Sequence, residues 1–317
     1  MATAEIIDRI EKGVRRGIVG QEDLVRGLLV GMIANGHVLI EGVPGLAKTR
    51  AVHLLARACQ MSFKRIQFTP DLLPADVVGT RIYNQQAGEF EVVRGPIFAN
   101  FVLADEINRA PAKVQSALLE TMQEKQVTIG RETHKLPPPF LVFATQNPIE
   151  QEGTYPLPEA QLDRFLLKLV VTYPEPENEP AVVRMAIDET SLPGVKETAS
   201  QEDILDLQAA ARNVHIEDKV IRYCTDLVAA TRDPAAAGLS LAKYVELGAS
   251  PRASIALALA SRATALIKGH DAVMPHHVKQ VARDVLRHRV LMTYYADAEG
   301  VTSEQVIEEI LTNVKVP

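Results

Sequence analysis

His37-Val-Leu-Ile-Glu41-Gly42-Val-Pro-Gly45-Leu-Ala-Lys48-Thr49 joins a short apolar run to a glycine-rich loop, and residues 48–60 then carry Val52, Leu54, Leu55, Ala56 and Cys59 at helical spacing. The pattern predicts a strand, a tight loop and a helix in that order. In that setting backbone N–H groups of the loop and the positive end of the helix dipole point at phosphate oxygens. Gly42, Val43, Pro44, Gly45, Leu46, Ala47, Lys48 and Thr49 are therefore the candidate phosphate-binding residues. The Lys48 ammonium would neutralise β- and γ-phosphate charge, and the Thr49 hydroxyl would take one position around Mg²⁺. Ala47 stands where glycine normally precedes the lysine; its methyl group is small enough for the loop to tolerate. The competing reading is an ordinary strand-to-helix turn with an exposed lysine.

Phe101-Val-Leu-Ala-Asp105-Glu106 weakens that alternative. Four apolar residues place two acids at the carboxyl end of a buried strand, the position from which carboxylates meet a phosphate loop. Asp105 would hold the metal through its water shell, and Glu106 would polarise the attacking water. Phe140-Leu-Val-Phe-Ala-Thr145-Gln146-Asn147 is a third apolar strand, with an amide at its end that could bond the γ-phosphate. Asn147 before Pro148 is equally at home in a plain turn.

Helical spacing over 4–16 and 21–34 predicts two helices ahead of the first strand. Further strands are expected at Lys64–Phe68, Asn100–Ala104, Phe140–Thr145 and Leu166–Val171, with a helix over Pro111–Glu124. The alternation predicts an α/β core, a parallel sheet flanked by helices. Thr80–Arg94, turning at Gln85-Gln86-Ala87-Gly88, and Val127–Leu136, turning at Gly130-Arg131-Glu132-Thr133, read as two inserted hairpins. After the proline- and acid-rich Tyr173–Pro180 the apolar patterns are all helical, at about 179–189, 201–212, 216–232, 251–268, 275–292 and 303–313. Residues 1–176 are thus expected to form the phosphate-binding core and 177–317 an all-α domain.

Composition limits the partners. Lys plus Arg total 34 against 40 acids, a net charge of −6, which disfavours duplex nucleic acid. Leu24–Ile40 is interrupted by Arg26, Asn35, Gly36 and His37, so no membrane span is expected, and the N-terminal stretch lacks the apolar core of a secretory signal. Cys59 and Cys224 each lie in an apolar helical pattern and read as buried thiols, which fits a reducing cytoplasm. His276, His277 and His288 lie in a helical stretch without a cysteine or acid at ligand spacing, and read as solvated or capping histidines.

The ordered set Ile18-Val-Gly20-Gln21, the phosphate loop, Asp105-Glu-Ile-Asn108-Arg109, Asn147, Leu162-Asp-Arg164-Phe165 and Ser250-Pro-Arg252-Ala253 resembles the AAA+ superfamily. Within it, Glu41-Gly-Val-Pro-Gly-Leu-Ala-Lys-Thr49, Gln67-Phe-Thr-Pro-Asp-Leu-Leu-Pro74, Ala144-Thr-Gln-Asn-Pro148 and Val285-Leu-Arg-His-Arg289 are similar to MoxR proteins, so the resemblance covers nearly the whole chain. The resemblance implies a P-loop AAA+ core with an all-α lid, Ala47 as the usual residue of this version, and Gly20 and Gln21 against the adenine. It implies Asn147 as first sensor, Arg164 as an arginine finger reaching a neighbouring subunit, and Arg252 as second sensor in the lid. Arg109 is a further candidate for an interface contact. From the residues alone, Arg164 could equally pair with Asp163, and Arg252 could sit in the capped start of a helix.

The function implied is Mg²⁺-dependent hydrolysis of ATP by a ring of identical subunits, a hexamer, that remodels, assembles or matures client protein complexes, including metal-cofactor insertion. A separate protein with a von Willebrand factor A domain is the implied partner. Two other classes compete: a nucleic-acid-associated motor or loader, which the charge disfavours, and a nucleotide-binding scaffold with little turnover, against which Glu106, Asn147 and Arg164 argue.

Overall fold

The computed structural model describes residues 3–86, 88–149, 153–188 and 198–317. The chain forms two compact units, Met1–Leu157 with Leu169–Asp206, and Pro158–Lys168 with Leu207–Pro317.

In the first unit, α1 (Thr3–Arg15) and α2 (Glu22–Ile33) precede β1 (Val38–Glu41) and α3 (Lys48–Ala58). There follow β2 (Phe63–Gln67), α4 (Pro74–Val78), β3 (Gly79–Asn84), β4 (Glu89–Arg94), β5 (Phe101–Asp105) and α5 (Ala112–Glu124). The hairpin β6 (Gln126–Ile129) and β7 (Glu132–Lys135) leads to β8 (Leu141–Gln146). α6 (Glu159–Leu162) belongs to the second unit; the chain then returns to the first through β9 (Leu167–Val170) and α7 (Glu179–Asp188), and α8 (Gln201–Asn213) runs from the first unit into the second.

The five-stranded sheet runs β2-β5-β8-β1-β9. β1 pairs in parallel with β8, β8 with β5 and β5 with β2, with Glu41 beside Gln146 and Gln67 beside Asp105. The residues of β1, β5 and β8 that precede their polar ends are fully buried, the continuous apolar reading expected of parallel strands covered on both faces. Phe101 and Phe143 meet edge to face at 5.3 Å in the sheet core. Because all three strands point the same way, their carboxyl ends place Gly42, Asp105 and Asn147 along one edge of the sheet.

Both hairpins are present. The β3–β4 ribbon runs in register from Gly79 opposite Arg94 to Asn84 opposite Glu89, and Ala87 of its turn lies outside the described residues. In β6–β7 the turn is shorter than the sequence suggests: Gly130, in the left-handed region at φ +66°, carries it, so Glu132 and Thr133 already belong to β7.

The second unit contains α9 (Asp218–Arg232), β10 (Val245–Leu247), α10 (Pro251–Ile267), α11 (Pro275–Leu286), β11 (Leu291–Met292), α12 (Tyr294–Glu299) and α13 (Ser303–Asn313). It is helical as expected, with one correction. The helix read over 275–292 ends at Leu286, and Leu291–Met292 pairs antiparallel with Val245–Leu247. An apolar run such as Val290-Leu-Met292 has the same appearance in a helix and in a short strand, which is why periodicity misses it. α10 begins at Pro251 with the Ser250 hydroxyl accepting the Arg252 N–H at 3.1 Å, a standard N-cap.

Cys59 and Cys224 are both free and buried, and burial raises both thiols, Cys224 to about 12. No helix among the described residues is long and apolar enough to cross a membrane.

Candidate functional site

The loop Gly42–Ala47 springs from β1 and is fixed on both flanks. Gly42 donates its N–H to the Gln146 carbonyl at 3.2 Å, and Val171 donates to the Glu41 carbonyl at 2.7 Å. A Cβ on Gly42 would lie 2.7 Å from the Val171 carbonyl oxygen, so only glycine fits. Gly45 takes φ +86° in open space, and Ala47 takes φ +57°, the left-handed conformation that glycine normally supplies. Lys48 opens α3 and bonds the Gly42 carbonyl across the loop.

Opposite the loop, the Thr49 hydroxyl stands 3.4 Å from Oδ2 of Asp105. Two oxygens at that separation are close to the spacing of adjacent ligands around a small hard cation with bonds of about 2.1 Å. Asp105 is buried and held from two sides. Oδ1 accepts the Thr145 hydroxyl at 2.5 Å, and Oδ2 accepts Nε of Arg65 at 2.8 Å.

Glu106 sits in the left-handed region at φ 56°, ψ 50°, a conformation that costs a non-glycine residue on the order of 1 kcal/mol or more. Two bonds fix it there: its N–H donates to the Thr145 hydroxyl at 2.8 Å, and its carbonyl accepts the Arg109 N–H at 2.9 Å. Its Oε2 accepts Nε2 of Gln67 at 2.8 Å and Nη1 of Arg109 at 3.1 Å. Asn147 is buried, and its Oδ1 accepts the Ile149 N–H at 3.2 Å, so the plain turn is real. A turn made through Oδ1 leaves the amide N–H₂ chemistry of Asn147 available to a phosphate oxygen.

Gly20, at φ +69°, packs against Pro174 and Asn178, and Nε2 of Gln21 donates to the Thr172 carbonyl at 3.0 Å. Arg164 and Arg252 belong to the second unit. There Asp163 accepts the Ser250 hydroxyl at 2.8 Å and Nε of Arg289 at 2.7 Å, with Nη1 of Arg252 at 3.9 Å. The acid next to Arg164 thus answers to Ser250 and Arg289.

Comparison with known proteins decides the family. Residues 37–167 match the ATPase family associated with various cellular activities (AAA), and residues 240–310 match the AAA lid domain. The chain is 51% identical to Chaperone MoxR1 of Mycobacterium tuberculosis over 100% of this chain and 84% of that one. The chain belongs to the MoxR family of AAA+ ATPases. It is also 44% identical to YeaC of Bacillus subtilis, over 98% of this chain and 95% of the other. The crystal structure of an inferred ATPase from Cytophaga hutchinsonii superposes with a TM-score of 0.93 at 49% identity, covering 99% of this chain and 96% of that one.

In this MoxR-family chain the loop, Asp105, Glu106 and Asn147 are brought to one edge of the sheet, as the motifs imply. Sequence reasoning missed what holds them. Arg65 carries no motif, and Gln67 and Thr145 appear only within quoted strand and family phrases that give them no role; Arg65 and Gln67 on β2 and Thr145 on β8 flank β5, a signal that only strand register makes visible.

His277 caps the start of α11. The Met274 N–H donates to Nδ1 of His277 at 3.0 Å, which puts the neutral ring's proton on Nε2, facing Nδ1 of His270 at 2.9 Å. Although His270, His276 and His277 converge, the lone pairs that would bind a metal at His277 and His270 are spent on these two bonds. Burial, with His276, His270 and Lys268 nearby, pulls His277 down to about 4. His288 departs from the expectation of a solvated or capping ring: it is buried, which draws it well below its usual range, and its Nε2 donates to the Phe165 carbonyl at 3.2 Å.

Proposed function

We propose that this MoxR-family protein is a Mg²⁺-dependent ATPase working as a ring of identical subunits, a hexamer, to remodel or mature client protein complexes. The observation that carries the reading is the convergence of the Lys48 loop, the Thr49–Asp105 pair and Glu106 at the carboxyl ends of β1, β5 and β8. Bound MgATP supplies the bond to be broken. Lys48 and the loop N–H groups bind its phosphates, Thr49 and Asp105 provide hard oxygen ligands or their water shell, and Gly20 with Gln21 lines the base. Glu106 orients the attacking water and takes up its proton, while the Asn147 amide holds the γ-phosphate side.

The reading assigns residues 1–176 to the ATPase core and 177–317 to the lid. Arg164 serves as a finger for the neighbouring subunit and Arg252 as the second sensor, since guanidinium groups stabilise charge that develops on transferred phosphate. The name of the M. tuberculosis relative supports chaperone-like work on a client. A separate von Willebrand factor A domain protein is the proposed partner, and the buried free thiols fit a reducing cytoplasm. A net charge of −6 tells against a nucleic-acid motor.

The test is steady-state ATPase activity against protein concentration with Mg²⁺, for wild type, Glu106→Gln and Arg164→Ala, alongside ATP binding. Activity that rises with concentration and is lost in both variants, with ATP still bound by Glu106→Gln, is expected. Binding without turnover at any concentration would leave a nucleotide switch instead.

A further inference from the structure

The guanidinium of Arg289 has five N–H donors, and all five are used. Nε donates to Oδ1 of Asp163 at 2.7 Å, and Nη2 to the carbonyls of Asp163 at 3.1 Å and Phe165 at 2.6 Å. Nη1 donates to the carbonyl of Leu166 at 3.2 Å and to that of Val285. Four of these five acceptors lie on residues 163–166, and two are the peptide carbonyls on either side of Arg164. The side chain is 3% exposed, so these bonds form out of water, where each lost partner leaves a buried donor or acceptor unsatisfied. His288 adds a second donor to the Phe165 carbonyl, and the Ser250 hydroxyl holds Oδ2 of Asp163.

We propose that Arg289 is the positioning residue for Arg164: its fork clamps the backbone on both sides, so that the Arg164 side chain leaves a fixed segment in a fixed direction. The inference rests on the reading of Arg164 as a finger acting in a neighbouring subunit. A guanidinium can bind this many divergent acceptors because its donors lie in a rigid plane; an ammonium presents three donors from one point and cannot span them. Asp163 also ties the clamp to the start of α10, where Ser250 caps the helix that carries Arg252. A displacement of about 1 Å at a transition-state contact is enough to lose roughly 100-fold in rate.

The experiment uses Arg289→Lys and Arg289→Gln in the full chain, each assayed alone and after mixing with Glu106→Gln, with Arg164→Ala plus Glu106→Gln as the reference pair. Alone, the Arg289 variants are expected to lose roughly 10- to 100-fold in kcat with KM for ATP changed by less than about threefold. Glu106→Gln has a disabled site but an intact finger, and an Arg289 variant has the reverse. Mixed rings should therefore exceed the summed activities of the separate proteins, as the reference pair should. A chain that is merely unfolded cannot regain activity this way. If the reference pair recovers and neither Arg289 variant does, or if Arg289→Lys keeps full kcat, Arg289 only stabilises its unit and the proposal is wrong. If the reference pair itself fails to recover, Arg164 does not act across subunits, and the proposal falls with that reading.

Discussion

Thr145 donates its hydroxyl to Asp105 at 2.5 Å and accepts the backbone N–H of Glu106 at 2.8 Å, so a single buried side chain holds both acids at the end of β5. Thr145→Val keeps the shape and removes both bonds. The expected result is a loss of about 1–3 kcal/mol of stability from the unsatisfied buried groups, and at least about a tenfold fall in kcat. Thr145→Ser should recover most of both. Urea unfolding and ATPase assays on the two variants check this; equal behaviour of Val and Ser would count against the hydroxyl.

Ala47 carries a positive φ in the loop. Glycine adopts that conformation without the Cβ penalty of roughly 1–2 kcal/mol, against an unfolded-state entropy cost of about 0.4–1 kcal/mol. Ala47→Gly is therefore expected to be neutral to stabilising by up to about 1 kcal/mol, with nucleotide affinity kept within about threefold. Ala47→Val should destabilise, because a β-branched residue resists this region. A lower melting midpoint for the glycine variant would refute the strain argument.

His37 is buried between the Val142 N–H, which it accepts at Nδ1, and the Met122 carbonyl, to which Nε2 donates. Burial pulls its pKa down to about 4 from an unfolded value of 6.5, so between those limits the unfolded chain binds more protons. Its contribution is complete above about pH 6.5 and is lost as pH falls to about 4. In urea titrations across that window, His37→Asn should be less stable at pH 7 yet lose about 3 kcal/mol less than wild type by pH 4. Parallel slopes for the two proteins would rule this out.

Gln67 and Arg109 both bond Oε2 of Glu106. In this arrangement the carboxylate is occupied by neighbours, and Gln67→Ala releases one of them. Basal hydrolysis without a client should rise by roughly twofold or more, since a general base must be free to meet its water. A fall in kcat would mean that Gln67 aims Glu106 instead of restraining it.

Legibility in the sequence followed physical locality. The runs that became β1, β5 and β8 are continuous and apolar because parallel strands are buried on both faces, and the phosphate loop shows in its glycines. What escaped depends on register between distant strands: Arg65 reaches Asp105 only because β2 lies beside β5, and Thr145 only because β8 lies on the other side. His270 is six residues before His276 and outside its helix, so its bond to His277 has no periodic trace. Arg289 was visible as part of a family phrase, but its clamp on 163–166 joins segments more than a hundred residues apart.

The β3–β4 ribbon carries Ile82, Tyr83, Phe90 and Val93, each about half exposed, and among the described residues it pairs with no third strand. Open strand edges flanked by apolar side chains invite stray pairing. A lone subunit at high concentration should therefore be sticky, forming turbid, detergent-soluble clumps, and shortening the ribbon tip between Tyr83 and Phe90 should clear the solution.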